Sequence, residues 1–282
     1  MAALTVASLA ASLALGACGG DDDGKTAATA RPSTAASAAP AGGTPAATPS
    51  LGATRAAAGT GKRDVLADAA DAADSAVAAV RVTDVSLVAR ATVRSVAVYR
   101  SSAGGSPSQT LRSPLPSGAP LVFLVQERRG DRVLVLLPVR PNGSQGWVRA
   151  ADVSLMQTDY RITVSTGRHE LRLFRNGRVV VRVPVGLGTG TTPTPGGVFY
   201  VKELLKPRDP SGPYGPYAYG LSGYSEVLDE FLGGDGQIGI HGTNDPGGVG
   251  RNVSHGCIRM RNADITKLVR LLPLGVPVQI VG

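Results

Sequence analysis

Short runs of alternating apolar and polar residues, broken by glycine, proline and asparagine, fill the chain from residue 81 to residue 282. A period of two is typical of half-buried strands, whereas an amphipathic helix needs apolar residues three and four positions apart. In residues 81–156 the runs lie at 93–99, 120–126, 133–139 and 146–149. In residues 157–282 they begin at 161–164 and 171–175, and Asn176-Gly177 after them is a strong hairpin signal. The pattern predicts a mainly β protein with two β-rich domains, residues 81–156 and 157–282.

One helix is predicted near the end of the chain, over residues 263–272. Its apolar residues fall on one face, Asn262 is the predicted N-cap, and Pro273 ends it. Residues 276–281 then read as a last strand. Pro277 lacks a backbone N–H, so this strand is predicted at the edge of its sheet.

Residues 238–262 combine His241, His255 and Cys257 with six glycines, at positions 239, 242, 247, 248, 250 and 256. A thiol beside an imidazole is a nucleophile with a candidate base. Gly256 has no Cβ, so a substrate carbonyl could approach closely, and backbone N–H groups of Gly256 and Cys257 could form an oxyanion site. Two alternatives remain open, an inert buried cysteine and a zinc site of His241, His255 and Cys257 that lacks a clear fourth ligand.

The order of these residues, His241-Gly242 and then Ser254-His255-Gly256-Cys257-Ile258-Arg259, resembles the signature of the L,D-transpeptidase catalytic (YkuD-type) family. The spacer after His241 is shorter than is usual in the family, and Arg259 stands where asparagine is common. The resemblance implies a β-rich catalytic domain over residues 157–282, with one helix after the cysteine. It also implies that Cys257 is the nucleophile, that His241 is its base and that the Gly242 carbonyl orients His241. Spacing alone leaves His255 open as the base.

The resemblance implies acyl transfer on peptidoglycan stem peptides, through a Cys257 thioester that an amine converts into a 3→3 cross-link. No cofactor and no metal is expected, and carbapenem-type β-lactams are expected as covalent inhibitors. Two other functions remain open, an L,D-carboxypeptidase with the same site and a non-catalytic wall-binding lipoprotein. Nucleic acid is not an expected partner, because the chain has no Lys/Arg cluster with interleaved aromatics.

Residues 206–224 are predicted to be an irregular loop, and they contain four of the seven tyrosines. The resemblance places a lid over the cleft at this position. Tyr217 and Tyr219 are therefore predicted substrate contacts, together with Ser254 and Arg259 of the cysteine segment. Packing of either tyrosine onto the body of the domain is the alternative.

Residues 81–156 resemble a bacterial SH3-like domain, a small barrel whose repeats often end in the strand Gly146-Trp147-Val148. Trp147 could be a platform for a ligand. A tryptophan in such a strand more often packs the core of a small barrel, and we predict that role.

The beginning of the chain predicts export. Residues 2–15 are mostly apolar and lead into Leu15-Gly16-Ala17-Cys18, which resembles a bacterial lipobox. Residues 1–18 are thus predicted to be a lipoprotein signal peptide, with Cys18 lipidated, and residues 19–80, rich in Ala, Pro and Thr, a flexible tether. The expected location is the outer face of the cytoplasmic membrane, facing the cell wall, where a net charge of +8 suits a polyanionic envelope.

Overall fold

The structure, a computed structural model, describes residues 84–231 and 234–282. The predicted signal peptide, Cys18 and the predicted tether lie outside these residues. The described chain is mainly β, as predicted, and its one α-helix follows the cysteine segment. None of its helices is long and apolar enough to cross a membrane.

The first β-domain, residues 84–158, consists of an antiparallel sheet and a hairpin. The five-stranded sheet has the order β6-β5-β4-β1-β7, and β2 pairs with β3. Trp147 is 8% exposed, which agrees with a packing role. The resemblance to an SH3-like barrel stays a prediction. The strands are β1 (Ser86–Ala91), β2 (Ser95–Val98), β3 (Gln109–Arg112), β4 (Val122–Arg129), β5 (Arg132–Leu136), β6 (Gln145–Arg149) and β7 (Val153–Thr158).

The second β-domain, residues 159–282, is built on an eight-stranded sheet of order β10-β9-β8-β17-β12-β13-β14-β16, beside a parallel pair of β11 and β15. The predicted hairpin is confirmed, because Asn176 and Gly177 adopt the positive φ angles of 49° and 72° that its tight turn requires. The elements are β8 (Tyr160–Ser165), β9 (Glu170–Arg175), β10 (Arg178–Pro184), β11 (Leu187–Gly188), β12 (Gly197–Leu205), β13 (Ala218–Tyr224), β14 (Gln237–His241), β15 (Asn252–Ser254), β16 (Ile258–Arg259), α1 (Asn262–Val269) and β17 (Pro277–Val281).

Three local predictions for this domain are wrong. Strand β17 lies inside the sheet, between β8 and β12, and Pro277 is tolerated because it is the first residue of the strand. The helix begins at Asn262 with Arg261 as its N-cap, and the Asn262 side chain instead accepts a hydrogen bond from Thr243 N. The predicted loop ends at residue 217, because residues 218–224 form the fully buried strand β13.

The two faces of β13, β14 and β16 differ in composition. One face sends Tyr219, Leu221, Ile238, Ile240 and Ile258 into the main core of the second β-domain. Side chains alternate between faces along a strand, so Gly220, Gly239 and His241 lie on the opposite face. Gly220 and Gly239 are paired across β13 and β14. This opposite face, which we call the glycine face, therefore has a stretch of backbone without side chains.

The first β-domain packs on the second through a small apolar cluster. Its residues are Val88, Val122, Leu124 and Leu136 of the first domain and Val198 and Tyr200 of β12. Tyr200 is fully buried, and its hydroxyl has no hydrogen-bond partner in the described part of the chain. Burial also raises the pKa of this hydroxyl.

Replacement of Tyr200 by Phe should increase the free energy of unfolding by about 1 kcal/mol, since it removes a buried polar group that lacks a partner. Urea unfolding monitored by circular dichroism would measure the change. Tyr219→Phe is the matched control, because the Tyr219 hydroxyl contacts the carbonyls of Leu268 and Leu272 at 3.5 and 3.4 Å and its removal should give no gain. A loss of stability in Tyr200→Phe would contradict the prediction.

Candidate active site

His241 and Cys257 reach the glycine face from two neighbouring strands. Strands β14 and β16 are parallel, with Ile240 opposite Ile258 and His241 opposite Arg259. Cys257 directly precedes β16, and its Sγ accepts a hydrogen bond from Gly239 N at 3.3 Å. A Cβ on Gly239 would point to the same face as the His241 side chain, two residues away, and would lie 4.0 Å from the Cys257 sulfur. The sulfur and the imidazole thus lie on the same side of the sheet.

The His241 ring has a defined tautomer. Its Nδ1 lies 2.6 Å from the carbonyl oxygen of Gly242, and because a carbonyl can only accept, Nδ1 donates. The neutral ring then has an unprotonated Nε2. This atom is buried and has no hydrogen-bond partner among the described residues. His241 therefore presents a proton acceptor on the glycine face.

Burial lowers the pKa of His241 to about 4, because water is excluded from the ring and cannot solvate its charged form. The hydrogen bond to Gly242 opposes this shift, and the positive charge of Arg259 adds to it. At neutral pH the imidazole is consequently uncharged, as a general base must be.

The turn before Cys257 is fixed by Ser254. Its hydroxyl donates to the Cys257 carbonyl at 2.6 Å and accepts from Gly256 N at 3.2 Å. Gly256 has a φ of +118°, which few residues with a side chain adopt. An added Cβ there would lie 2.9 Å from Ile238 Cδ1. The glycine is thus required by both backbone conformation and packing.

His255 lies in the same turn and contacts the loop that follows β13. Its ring packs against Phe231, with 4.6 Å between the ring centroids and 33° between the planes. His255 Nδ1 is buried and has no partner in the described residues. His255 is thus shielded on one side by an aromatic ring, and it lacks the backbone contact that orients His241.

The chain is similar in sequence to known proteins, and the similarity includes the segment that carries His241 and Cys257. The profile of the L,D-transpeptidase catalytic domain family (YkuD) matches residues 159–280. The putative L,D-transpeptidase YqjB of Bacillus subtilis is 32% identical over 133 residues, which cover 43% of this chain and 71% of that protein. The chain belongs to this family.

Other relatives match less of their own length or less closely. The putative L,D-transpeptidase YkuD of Bacillus subtilis is 40% identical over 121 residues, and the match covers 43% of this chain and 65% of that protein. The solved structure of Bdellovibrio bacteriovorus Bd1075 is 28% identical over 44% of this chain and 48% of that chain, with a TM-score of 0.36. The family profile matches the second β-domain, and the first β-domain lies outside the residues that this profile matches.

Tyr214, which was not among the predicted substrate contacts, lies in the loop before β13 and reaches the candidate active site. The Tyr214 ring lies edge-on to His241, with 5.0 Å between centroids. Gly215 beside it, at a φ of +61°, approaches so closely that an added Cβ would lie 2.7 Å from Gly242 Cα. Nothing in the spacing of the tyrosines distinguishes Tyr214 in advance, since its position depends on how the loop folds back.

The predicted substrate contacts need revision. Tyr219 is 1% exposed and packs in the core, so that prediction is wrong. Ser254 is also 1% exposed, and its hydroxyl is engaged within the turn, so its role is to position Cys257. Tyr217 is partly buried against the core, and its carbonyl accepts from Gly242 N at 3.2 Å. Arg259 is 6% exposed and neighbours His241.

The zinc alternative would use His241, His255 and Cys257 as ligands. In the described parts of the chain, no three His, Cys, Asp or Glu side chains are grouped closely enough to hold a metal ion. The zinc alternative therefore receives no support from the geometry.

His241 should make the fold sensitive to acid. Its folded-state pKa of about 4 lies below the ordinary histidine pKa of 6.5, so the unfolded chain binds more protons between these pH values. Stability should therefore fall as the pH drops through this window, by about 2 to 3 kcal/mol at pH 4.5 relative to pH 7. Urea unfolding in reductant at both pH values measures the difference.

In His241→Gln this part of the acid sensitivity should disappear, whereas His169→Gln should retain it. His169 is a suitable control because it is only partly buried, and its Nε2 lies 2.8 Å from Oδ1 of the exposed Asn252. Equal acid sensitivity in His241→Gln and the unmodified protein would contradict the assignment.

Proposed function

We propose that the protein is a peptidoglycan L,D-transpeptidase that forms 3→3 cross-links between stem peptides through a Cys257 thioester. The observation that supports this most directly is the state of His241. Its Nδ1 is engaged by the Gly242 carbonyl, and its unprotonated Nε2 lies buried on the sheet face that also carries the Cys257 sulfur. A thiol and a neutral imidazole on one face suit acyl transfer without a cofactor.

In the first step His241 Nε2 takes the proton of the Cys257 thiol. The sulfur attacks the carbonyl carbon attached to an L-configured centre of the stem peptide. A tetrahedral intermediate forms and collapses with cleavage of the peptide bond. The leaving amine of a terminal D-alanine receives the proton from His241. The imidazolium is destabilised by burial, so transfer of its proton to the leaving group is favourable. The product is a thioester on Cys257.

In the second step the amine of a neighbouring stem peptide attacks the thioester carbonyl and gives its proton to His241. The thiolate leaves, a new amide bond forms and the resting thiol is restored by the proton on His241. Gly239 N–H, which donates to the sulfur at 3.3 Å, stabilises the thiolate as a leaving group. Gly256 N–H can contribute to the oxyanion site only after it releases the Ser254 hydroxyl, its present partner.

The remaining parts of the proposal rest on sequence. The lipobox-like segment supports export and lipid attachment at Cys18, which would hold the catalytic domain at the outer face of the membrane. The Gly146-Trp147-Val148 strand supports an SH3-like first domain.

The substrate assignment is tested with purified stem peptides and the reduced full chain. The unmodified protein should give cross-linked dimers by mass spectrometry, and Cys257→Ala should give none, because the thioester cannot form. Tyr219→Phe is the control, since its hydroxyl lies in the core. Shortened monomers without dimers would indicate an L,D-carboxypeptidase instead, and products that persist in Cys257→Ala would exclude a cysteine mechanism.

The nucleophile and the base are tested with a carbapenem. We expect a covalent adduct on Cys257 by intact-mass measurement, and a rate of acylation roughly 10² to 10⁴ lower in His241→Ala, the usual contribution of a general base. His169→Ala should react at the parent rate. If His255→Ala lost the rate and His241→Ala did not, His255 would be the base.

A further inference from the structure

Arg140 of the first β-domain binds three backbone carbonyls of the second. It lies between β5 and β6, and its guanidinium donates to Ser225 O at 2.5 Å, Leu228 O at 2.9 Å and Asp235 O at 2.8 Å. These three residues belong to the segment that connects β13 to β14. We call its described residues, 225–231 and 234–236, the Phe231 loop. One side chain of the neighbouring domain thus binds both the outgoing and the returning part of this loop.

Neighbours of Arg140 fix the base of the same loop. Asn142 donates from Nδ2 to Tyr224 O at 2.8 Å, and its Oδ1 accepts from Tyr224 N at 2.9 Å. The Tyr224 hydroxyl donates to Pro138 O at 2.9 Å, and the Arg140 guanidinium lies 5.0 Å from the centre of the Tyr224 ring. The first β-domain therefore holds the end of β13 at the point where the Phe231 loop begins.

The fit around Arg140 is close and depends on backbone atoms. Gly236 has a φ of +72°, and a Cβ at this position would clash with Leu228 O and lie 2.8 Å from Arg140 Nη2. The ion pair between Arg140 and Asp229 is long, 3.9 Å, and the Asp229 side chain is fully exposed, so it contributes little. A guanidinium has five donors in a planar fork, which suits several carbonyls at once. Arg140 therefore holds the loop mainly through its three hydrogen bonds to backbone carbonyls, and the ion pair with Asp229 is secondary.

The loop ends against the active-site turn. Phe231 packs on the His255 ring at 4.6 Å between centroids, and His255 is two residues before Cys257. A continuous series of contacts therefore runs from Arg140 through the Phe231 loop to His255.

We propose that Arg140 is a positioning residue for the active site: by binding three carbonyls of the Phe231 loop, the first β-domain places Phe231 against His255 beside Cys257. The catalytic consequence rests on the proposed function, whereas the placement of His255 does not. The first β-domain is thereby part of the active-site support.

The placement is tested by the ring signals of His255 in an NMR spectrum of the full chain, which has only three histidines to assign. Phe231→Ala should shift the His255 signals by removing the adjacent aromatic ring. Arg140→Ala should move them in the same direction, and Arg140→Lys should restore them only in part, because an ammonium cannot present the planar fork. Asp229→Asn is the matched control and should leave them in place. Unchanged His255 signals in a folded Arg140→Ala protein would overturn the proposal.

A catalytic readout uses the stem-peptide reaction. Arg140→Ala should lower kcat roughly tenfold to a hundredfold, the usual cost of a small misplacement near reacting groups. In a Phe231→Ala background the same change should cost less than about twofold, since coupled residues are not additive. Equal losses in both backgrounds would overturn the route through Phe231. If the parent protein forms no product, the proposed function fails and the NMR result still decides the placement.

A second variant, Gly236→Ala, keeps the Arg140 side chain and tests the proposal if Arg140→Ala does not fold. Gly236→Ala forces Leu228 and the guanidinium apart and should shift the His255 signals in the direction of Phe231→Ala. A folded Gly236→Ala protein with parental His255 signals would count against the proposal as strongly as the arginine variant.

Discussion

The hydrogen bond from His241 Nδ1 to the Gly242 carbonyl leaves His241 Nε2 unprotonated, as a general base requires. Several other parts of the fold hold the Gly242 backbone in place. The carbonyl belongs to the residue after His241, so its direction depends on the backbone where β14 ends. That backbone is enclosed: an added Cβ at Gly242 would clash with Asn262 Oδ1 and lie 3.0 Å from Gly215 Cα. Thr243 N donates to the same Asn262 oxygen.

Three chain segments distant in sequence therefore fix one carbonyl. Strand β14 brings His241, the loop before β13 brings Gly215, and the first residue of α1 brings Asn262. This explains why Asn262 does not cap its own helix, because its side chain is used to hold the backbone after His241. Helix α1 is a short element whose first residue contributes more to the site than its apolar face does.

Glycine has two separate roles in this domain. Gly256 is required for backbone conformation, with a φ of +118°. Gly239 and Gly220 have no positive φ angle, and their lack of a side chain allows close packing of neighbouring atoms. A Cβ on Gly239 would lie 2.9 Å from Tyr219 O, and one on Gly220 would clash with Gln237 Nε2. Neighbouring atoms therefore pack closely against the backbone of the glycine face.

Much of the fold could be predicted from local patterns. The period of two gave the β class, Asn176-Gly177 gave a hairpin, and the apolar positions after Cys257 gave a helix. These features depend on residues close in sequence, where propensity and turn chemistry act directly. The order of His241 and Cys257 also pointed to a family whose profile matches residues 159–280.

The errors concern residues whose environment is set by tertiary structure. Tyr219 lies in a run of tyrosines and glycines that reads as a loop, and only its pairing with Leu204 and Ile240 turns it into a buried strand residue. Pro277 suggested an edge, but a first residue in a central strand needs no ladder donor. Arg140 and Phe231 carried no signal at all, since each acts across a gap in sequence that no local pattern encodes.

Arg259 stands where asparagine is common in the L,D-transpeptidase family, and its positive charge acts on His241. Arg259 lies opposite His241 on β16 and lowers its pKa. A cation at this position disfavours the protonated form of His241, because two positive charges would then be neighbours in a buried site. The imidazole is therefore uncharged at neutral pH, and in the proposed mechanism it accepts the thiol proton during the attack.

The same repulsion acts on the intermediate. In the proposed mechanism, Arg259 raises the free energy of protonated His241 and so favours release of the proton to the leaving amine. In the proposed reaction, Arg259 therefore makes His241 a weaker base toward the thiol and makes protonated His241 a stronger acid toward the leaving amine. An asparagine here would reverse both effects, with a more stable imidazolium that activates the thiol earlier and gives up its proton less readily.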